Sequence, residues 1–332
     1  MKVAVDAMGG DRAPGCVVEG VALAIERGLL QPEQILLVGQ LELIEPLLAE
    51  RGLDGVLVED ARDVIAMDES AALAVRTKRD SSIARAMKAV AEGRADAFVS
   101  AGNTGAVVAA ASLILGRLAG VARPGIAVPV PTRRGPCIVI DVGANIFCKP
   151  RHMLQYAIMA SEYAHGALGR EQPRVGLLNI GEEEGKGNDL IQEVHVLLQQ
   201  APIHYAGFIE GQDIMSGAVD VVVCEGFVGN VILKVAEGLG EFIREQVHGA
   251  FEQHPPRPEV GQAINGAFRK LDYAEYGGAP LLGVNAPVLI GHGRSNGHAM
   301  MNMLGAAVSS VEHAVNRHIL DQLGTIDESI GS

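Results

Sequence analysis

Ten short apolar runs recur along the 332 residues, and most are separated by stretches whose apolar residues fall three and four apart, such as Val17, Val21, Ala24 and Ile25. The runs are 2–6, 34–38, 55–58, 95–100, 126–130, 137–141, 174–180, 203–208, 219–224 and 287–291. Alternation of this kind predicts βαβ units, a mainly parallel sheet, and helices covering it. DVVVC at 220–224 is apolar throughout, as a strand buried on both faces should be. The length suits one large α/β unit over 1–332, built as a single body or as two lobes.

Five of these runs end in a loop of small and polar residues: DAMGGD (6–11), SAGNTGA (100–106), DVGAN (141–145), NIGEEEGKGN (179–188) and CEGFVGN (224–230). Glycine permits close backbone approach, and the amides at a helix start attract anions. Ligands of open α/β sheets sit beyond the carboxyl ends of the strands. The expectation is that all five loops gather at one edge of the sheet as a pocket for phosphate or another oxyanion. The candidate residues are Gly9, Gly10, Asp11, Gly102, Asn103, Thr104, Gly105, Asn145, Lys186, Asn188, Gly229 and Asn230. In GHGRSNGH, His292 and Ser295 could act as base and nucleophile, or simply cap a helix over 296–318.

Other chemistries lack their signatures. No GxGxxG follows the first run, GEEEGKGN lacks the GK[ST] of a phosphate-binding P-loop, and neither GxSxG nor HExxH occurs. Cys16, Cys137, Cys148 and Cys224 have no metal-ligand spacing and read as reduced, mostly buried thiols of a cytosolic protein. Neither a cofactor nor a metal is expected. The start MKVAVDAMGG is no signal peptide, and VVAAASLILG at 107–116 is too short to span a membrane.

The net charge of −13 argues against nucleic acid as a partner. Two islands run the other way. Residues 73–94 carry Arg76, Lys78, Arg79, Arg85, Lys88 and Arg94; residues 117–151 carry Arg117, Arg123, Arg133, Arg134, Lys149 and Arg151. Such islands suit an anionic ligand or an acidic protein. Residues 229–271 differ from the rest: Ile232, Val235, Leu239, Phe242 and Ile243, then Val260, Ile264, Phe268 and Leu271, keep a helical spacing on either side of HPPRP at 254–258. The expectation is an inserted helical hairpin, broken by proline, that packs on the body, forms a dimer contact or touches a membrane surface.

The five loops in this order, with RTKRDSSI (76–83), YAIMAS (156–161), YGGAPLLG (276–283) and HGRSN (292–296), closely resemble the PlsX family of phosphate acyltransferases over nearly the whole chain. The resemblance implies transfer of a long acyl chain from acyl carrier protein to inorganic phosphate, giving acyl-phosphate for phospholipid synthesis. It also implies an α/β/α sandwich like that of phosphotransacetylases and isocitrate-type dehydrogenases, a homodimer, and a cytoplasmic, peripherally membrane-associated enzyme. An amphipathic acyl-phosphate would pass to a membrane glycerol-phosphate acyltransferase. On this reading Lys186 neutralises charge, Asn230 bonds phosphate or the oxyanion, and His292, Asn103 and Thr104 assist, while Asp11 orients a lysine or caps a helix.

The chain departs from the family pattern at three positions: Phe147 and Glu225 stand where aspartate is usual, and Val228 where threonine is usual. The alternatives are a phosphotransacetylase using short acyl-CoA, a non-catalytic relative that binds carrier protein or anions, and a decarboxylating dehydrogenase of related fold. The last requires a metal-binding carboxylate cluster that the sequence does not display.

Overall fold

The apolar runs become strands of one sheet in a computed structural model that describes residues 1–254, 256–270 and 273–330. Eleven strands are present among them: β1 (Val3–Asp6), β2 (Ile35–Gly39), β3 (Leu57–Asp60), β4 (Ala97–Ser100), β5 (Gly125–Thr132), β6 (Gly135–Ile140), β7 (Arg174–Leu178), β8 (His204–Ile209), β9 (Val221–Val223), β10 (Ala279–Leu282) and β11 (Val288–Ile290). Their order across the sheet is β3-β2-β1-β4-β11-β10-β5-β6-β9-β7-β8. The connecting helices are α1 (Gly15–Glu26), α2 (Leu41–Glu50), α3 (Ala71–Thr77), α4 (Ser82–Ala91), α5 (Thr104–Ala110), α6 (Pro150–Leu168), α7 (Asp189–Gln200), α8 (Gly226–Gln253), α9 (Pro258–Lys270), α10 (Gly297–Glu312) and α11 (Val315–Ile330).

The helices cover both faces, which makes the body an α/β/α sandwich. On one face α3, α4 and α5 bury Val75, Ile83, Met87 and Val107 against Phe98, Val128, Val139, Val222 and Val288. On the other face α1 and α10 pack over one end of the sheet, and α6, α7 and α11 over the other. α6 is placed by its sequence: Pro150 supplies the first helical position, and Gly169 at φ +67° closes the helix in the left-handed conformation. Buried Tyr156 and Tyr163 anchor it.

The sheet is mainly parallel, as the alternation predicts, with seven of its ten strand pairings parallel; the departure is that its two halves point in opposite directions. β1, β2, β3, β4 and β11 are mutually parallel, and β10 pairs antiparallel with both β11 and β5. β5 then pairs antiparallel with β6, and β9, β7 and β8 follow β6. The carboxyl ends of β6, β9 and β7 therefore point against those of β1, β4 and β11. The helix expected over 296–318 is also interrupted. α10 ends at Glu312 and α11 begins at Val315, with Ala314 at φ +47° between them.

The 229–271 segment holds most of α8, which ends at Gln253, and α9, which begins at Pro258; Leu271 lies outside the described residues. α8 carries exposed Val231, Val235, Leu239 and Phe242 at intervals of four, four and three residues. Among the described residues no helix is long and apolar enough to cross a membrane.

Candidate active site

The five glycine-rich loops do not gather at one edge. The loops after β1 and β4 lie with the His292 loop after β11; those after β6, β9 and β7 lie at the opposite strand ends. Both edges nevertheless open onto the same face. α5 is buried in the core cluster on that face, and Val228, Ile232 and Leu233 of α8 pack against the same cluster. α8 runs from one edge to the other: it carries Asn230 in its first turns, and about 16 Å further along its axis Glu241 meets Arg294 of the His292 loop at 3.0 Å.

At the β1 edge the glycines serve the protein's own packing. A Cβ on Gly9 would collide with Asp6 Oδ2 and lie 2.6 Å from the Gly102 amide. Gly10, at φ +104°, lies under the Gly293 carbonyl, and a Cβ on Gly105 would sit 2.9 Å from Ala71. The Asp11 amide donates to Gly293 O at 2.8 Å. Its carboxylate neither caps a helix nor pairs with a lysine among the described residues, because α1 starts only at Gly15 behind Pro14. Asp6 is fully buried, accepts the Ser100 hydroxyl at 2.6 Å and the Met8 amide at 3.1 Å, and has its carboxyl pushed upward by burial against the pull of these bonds.

Asn103 is committed as well. Its Oδ1 accepts the Ala106 amide at 3.0 Å, capping α5, while its Nδ2 is placed among the carbonyls of Ala66, Met67 and Glu69 at 3.1–3.2 Å. That leaves Asn103 as a clamp on the 66–69 loop rather than a ligand group. Thr104 beside it is exposed. His292 Nδ1 accepts the Arg294 amide at 3.2 Å. Ser295 is buried, and Asn296 caps α10 through the Ala299 amide at 2.9 Å.

The β6 edge is built on Asp141, buried at the end of β6. Its carboxylate accepts the amides of Ile126, Gly143, Ala144 and Asn145 at 2.8–3.2 Å. Burial pushes this carboxyl upward as well, opposed by those four amides. Gly226 and Gly229 let α8 start in contact with Asn145 O and Asp141 O, where any Cβ would collide. Asn230 is thereby pressed toward Gly143 and stays exposed. Asn145 Nδ2 donates to Pro124 O at 2.7 Å, and Asn188 caps α7 by accepting the Ile191 amide at 3.0 Å. Both are occupied at least in part by the fold.

Lys186 is different. The loop after β7 is fastened through its backbone: Asn179 Nδ2 donates to Lys186 O at 3.0 Å, and Gly187 adopts φ +95° against Asn179. The stem of Lys186 lies along Gly181. Three glutamates, Glu182–Glu184, stand beside it in sequence, yet Lys186 makes no ion pair among the described residues. The three positions that depart from the family pattern also lie here. Phe147 is 88 % exposed, Glu225 precedes α8 without a side-chain cap, and Val228 joins the core.

A family model described as a fatty acid synthesis protein matches residues 1–318. A phosphate acyltransferase of Geobacter sulfurreducens is 45% identical over 332 residues, covering 98% of this chain and 95% of its own length. One from Heliobacterium modesticaldum is 48% identical over 330 residues, covering 96% and 98%. Among solved structures, a phosphotransacetylase from Streptococcus pyogenes superposes with a TM-score of 0.65 at 17% identity over 94% of each chain. The EutD phosphotransacetylase from Staphylococcus aureus gives 0.61 at 16% over 93% of this chain and 94% of its own. At such identities the structural likeness speaks for the fold, whereas the sequence matches span nearly the whole chain and bear out the resemblance carried by the loops. The chain belongs to the PlsX family of phosphate acyltransferases.

Proposed function

We propose that this chain transfers a long-chain acyl group from acyl carrier protein to inorganic phosphate, and that Lys186 and Asn230 at the β6 edge carry the reaction. The observation that supports this most is the Lys186 ammonium, which makes no ion pair among the described residues although three glutamates stand beside it in sequence, next to the loops that present Asn145 and Asn230. Phosphate is already anionic at neutral pH, so the enzyme need not create a nucleophile. Its tasks are to neutralise and orient that anion against the thioester and to stabilise the tetrahedral oxyanion. Lys186 performs the first, and the Asn230 amide donates to phosphate or oxyanion. A phosphate oxygen bonds to the carbonyl carbon, the C–S bond breaks, and the thiolate leaves, assisted by an ordinary thiol pKa of about 8.5. Thr104 and His292 assist from the β1 edge, at the other end of the face that α8 spans.

Acyl carrier protein as donor fits an acidic protein bearing basic islands, and an acyl-phosphate would feed a membrane enzyme that acylates glycerol phosphate. The exposed stripe Val231, Val235, Leu239 and Phe242 supports pairing of α8 with a second copy, and the α8–α9 hairpin supports peripheral contact of a cytoplasmic enzyme with the membrane. The deciding assay follows free thiol released from palmitoyl-acyl carrier protein with and without phosphate, trapping the acyl product with hydroxylamine. Phosphate-dependent release with a trapped acyl group is expected. Release without phosphate dependence, or preference for acetyl-CoA, refutes the proposal.

A further inference from the structure

The two basic islands are indistinguishable as charge runs, but the fold treats them differently. In the first, Lys78 pairs with Glu69 at 2.6 Å, and Arg85 with Asp80 at 2.5 Å and Glu59 at 3.2 Å. Arg94 pairs with Glu59 at 2.6 Å, and Lys88 with Glu92 at 3.6 Å. Four of its six cations are thus neutralised, leaving Arg76 and Arg79. In the second island Arg123 and Lys149 are exposed and make no ion pair among the described residues. Their fields converge on one place. His152, in the first turn of α6, has its imidazole held below the usual range by burial and then by Arg123 and Lys149. Its Nδ1 already accepts the Lys149 amide at 3.2 Å.

This cationic group borders the β6 edge. Pro124, next to Arg123, is held by Asn145, and Lys149 follows Cys148, whose thiol donates to Asn145 O at 3.7 Å. Between these anchors the chain turns Ile146 and Phe147 outward, 60 % and 88 % exposed. An exposed aromatic flanked by unneutralised cations has the composition of a protein-binding hot spot rather than that of a solvated helix face.

Resting on the function proposed above, we infer that the acidic acyl carrier protein docks on the surface formed by Arg123, Ile146, Phe147 and Lys149, and not on the 73–94 island. Arg123 and Lys149 meet its carboxylates, and Phe147 seats against it. The thioester is thereby delivered beside Asn145, one strand from the loop that follows β9 and two from the Lys186 loop.

The test measures binding of fluorescently labelled holo-acyl carrier protein by anisotropy, together with phosphate-dependent thiol release. Arg123→Glu/Lys149→Glu should weaken binding about tenfold or more and flatten its salt dependence, raising KM for palmitoyl-acyl carrier protein but not for phosphate. Phe147→Ser should weaken binding about fivefold with the salt dependence kept. Arg76→Glu/Arg79→Glu should stay within about twofold of the parent. Arg123→Gln/Lys149→Gln, which leaves two exposed polar side chains, keeps the test decisive if charge reversal harms folding. Unchanged affinity in both 123/149 variants, or equal damage from the 76/79 variant, overturns the inference. A parent protein that binds carrier protein without phosphate-dependent release would instead overturn the proposed reaction, and the binding comparison would still decide the surface.

Discussion

The β1 and β6 edges look alike in sequence and are used differently. Each ends a strand in a buried aspartate, Asp6 or Asp141, and each continues through a glycine-rich loop. At the β1 edge the loops close on one another: Gly9 on Gly102, Asp11 on Gly293, and Asn103 on the carbonyls of 66–69. At the β6 edge the glycines let α8 start against Asp141 and Asn145, but the side chains of Lys186 and Asn230 make no hydrogen bond or ion pair among the described residues. A glycine at a strand end reports crowding of the backbone. Whether the crowding comes from a ligand or from the next loop is decided by the polar side chains left over.

The largest expected separation of the two edges comes from Lys186→Ala. Loss of a charge that works on the transition state should cost about 10²–10³ in turnover, roughly 3–4 kcal/mol, with the unfolding midpoint unchanged. Steady-state kinetics at subsaturating phosphate, read beside urea unfolding, check it; unchanged turnover would remove Lys186 from the mechanism. Gly9→Ala should do the reverse. Its Cβ meets Asp6 Oδ2 and the Gly102 amide, so about 1–3 kcal/mol of stability should be lost, while KM for phosphate in the remaining folded protein holds.

The asparagines sharpen the same contrast at smaller scale. Asn103→Ala removes the cap of α5 and the two N–H donors shared among the carbonyls of Ala66, Met67 and Glu69, which should cost about 2 kcal/mol of folding stability. Asn230→Ala removes no hydrogen bond among the described residues and should leave unfolding alone while lowering turnover about tenfold. If Asn103→Ala proves stable and Asn230→Ala unfolds early, the division between the edges is wrong.

Much of the fold could be read from the runs because a buried parallel strand is apolar over its length. The ten expected strands lie within two residues of the observed ones at nearly every end. β10 was missed because Gly277, Gly278 and Pro280 make it look like a loop. The opposed direction of the second half is legible as well. The runs 126–130 and 137–141 are separated by only six residues, PTRRGP, and a parallel crossover needs a dozen or more. They had to pair antiparallel, which turns every later loop of that half to the other edge. Lys186 and Asn230 stand out in their motifs as candidates, which the substitutions above test. The motifs leave open whether Asn103 and Asn188 cap helices or bind a ligand, and no pattern reveals that Glu59, Glu69, Asp80 and Glu92 pair four of the six cations in one of two similar basic islands.

The smallest effect separates the two aspartates themselves. Burial raises the Asp6 carboxyl above its ordinary 3.8, although the Ser100 and Ser82 hydroxyls and the amides of Met8 and Gly9 pull it down. The folded state therefore binds this proton more readily than the unfolded chain does. Asp6 contributes stability at low pH, and that contribution is lost as pH rises from 3.8 through the folded value, beyond which both states are ionised. Asp6→Asn keeps its oxygen for the Met8 amide and can turn its NH₂ to Ser100 Oγ, a rotatable hydroxyl that also accepts, so it should flatten the pH dependence of the urea midpoint in that window at little cost to overall stability. Asp141→Asn offers no such clean reading: both its oxygens receive N–H donors, so an amide NH₂ would face at least one of them and destabilise the β6 edge at every pH. A midpoint profile unchanged by Asp6→Asn would show that this carboxyl titrates alike in both states.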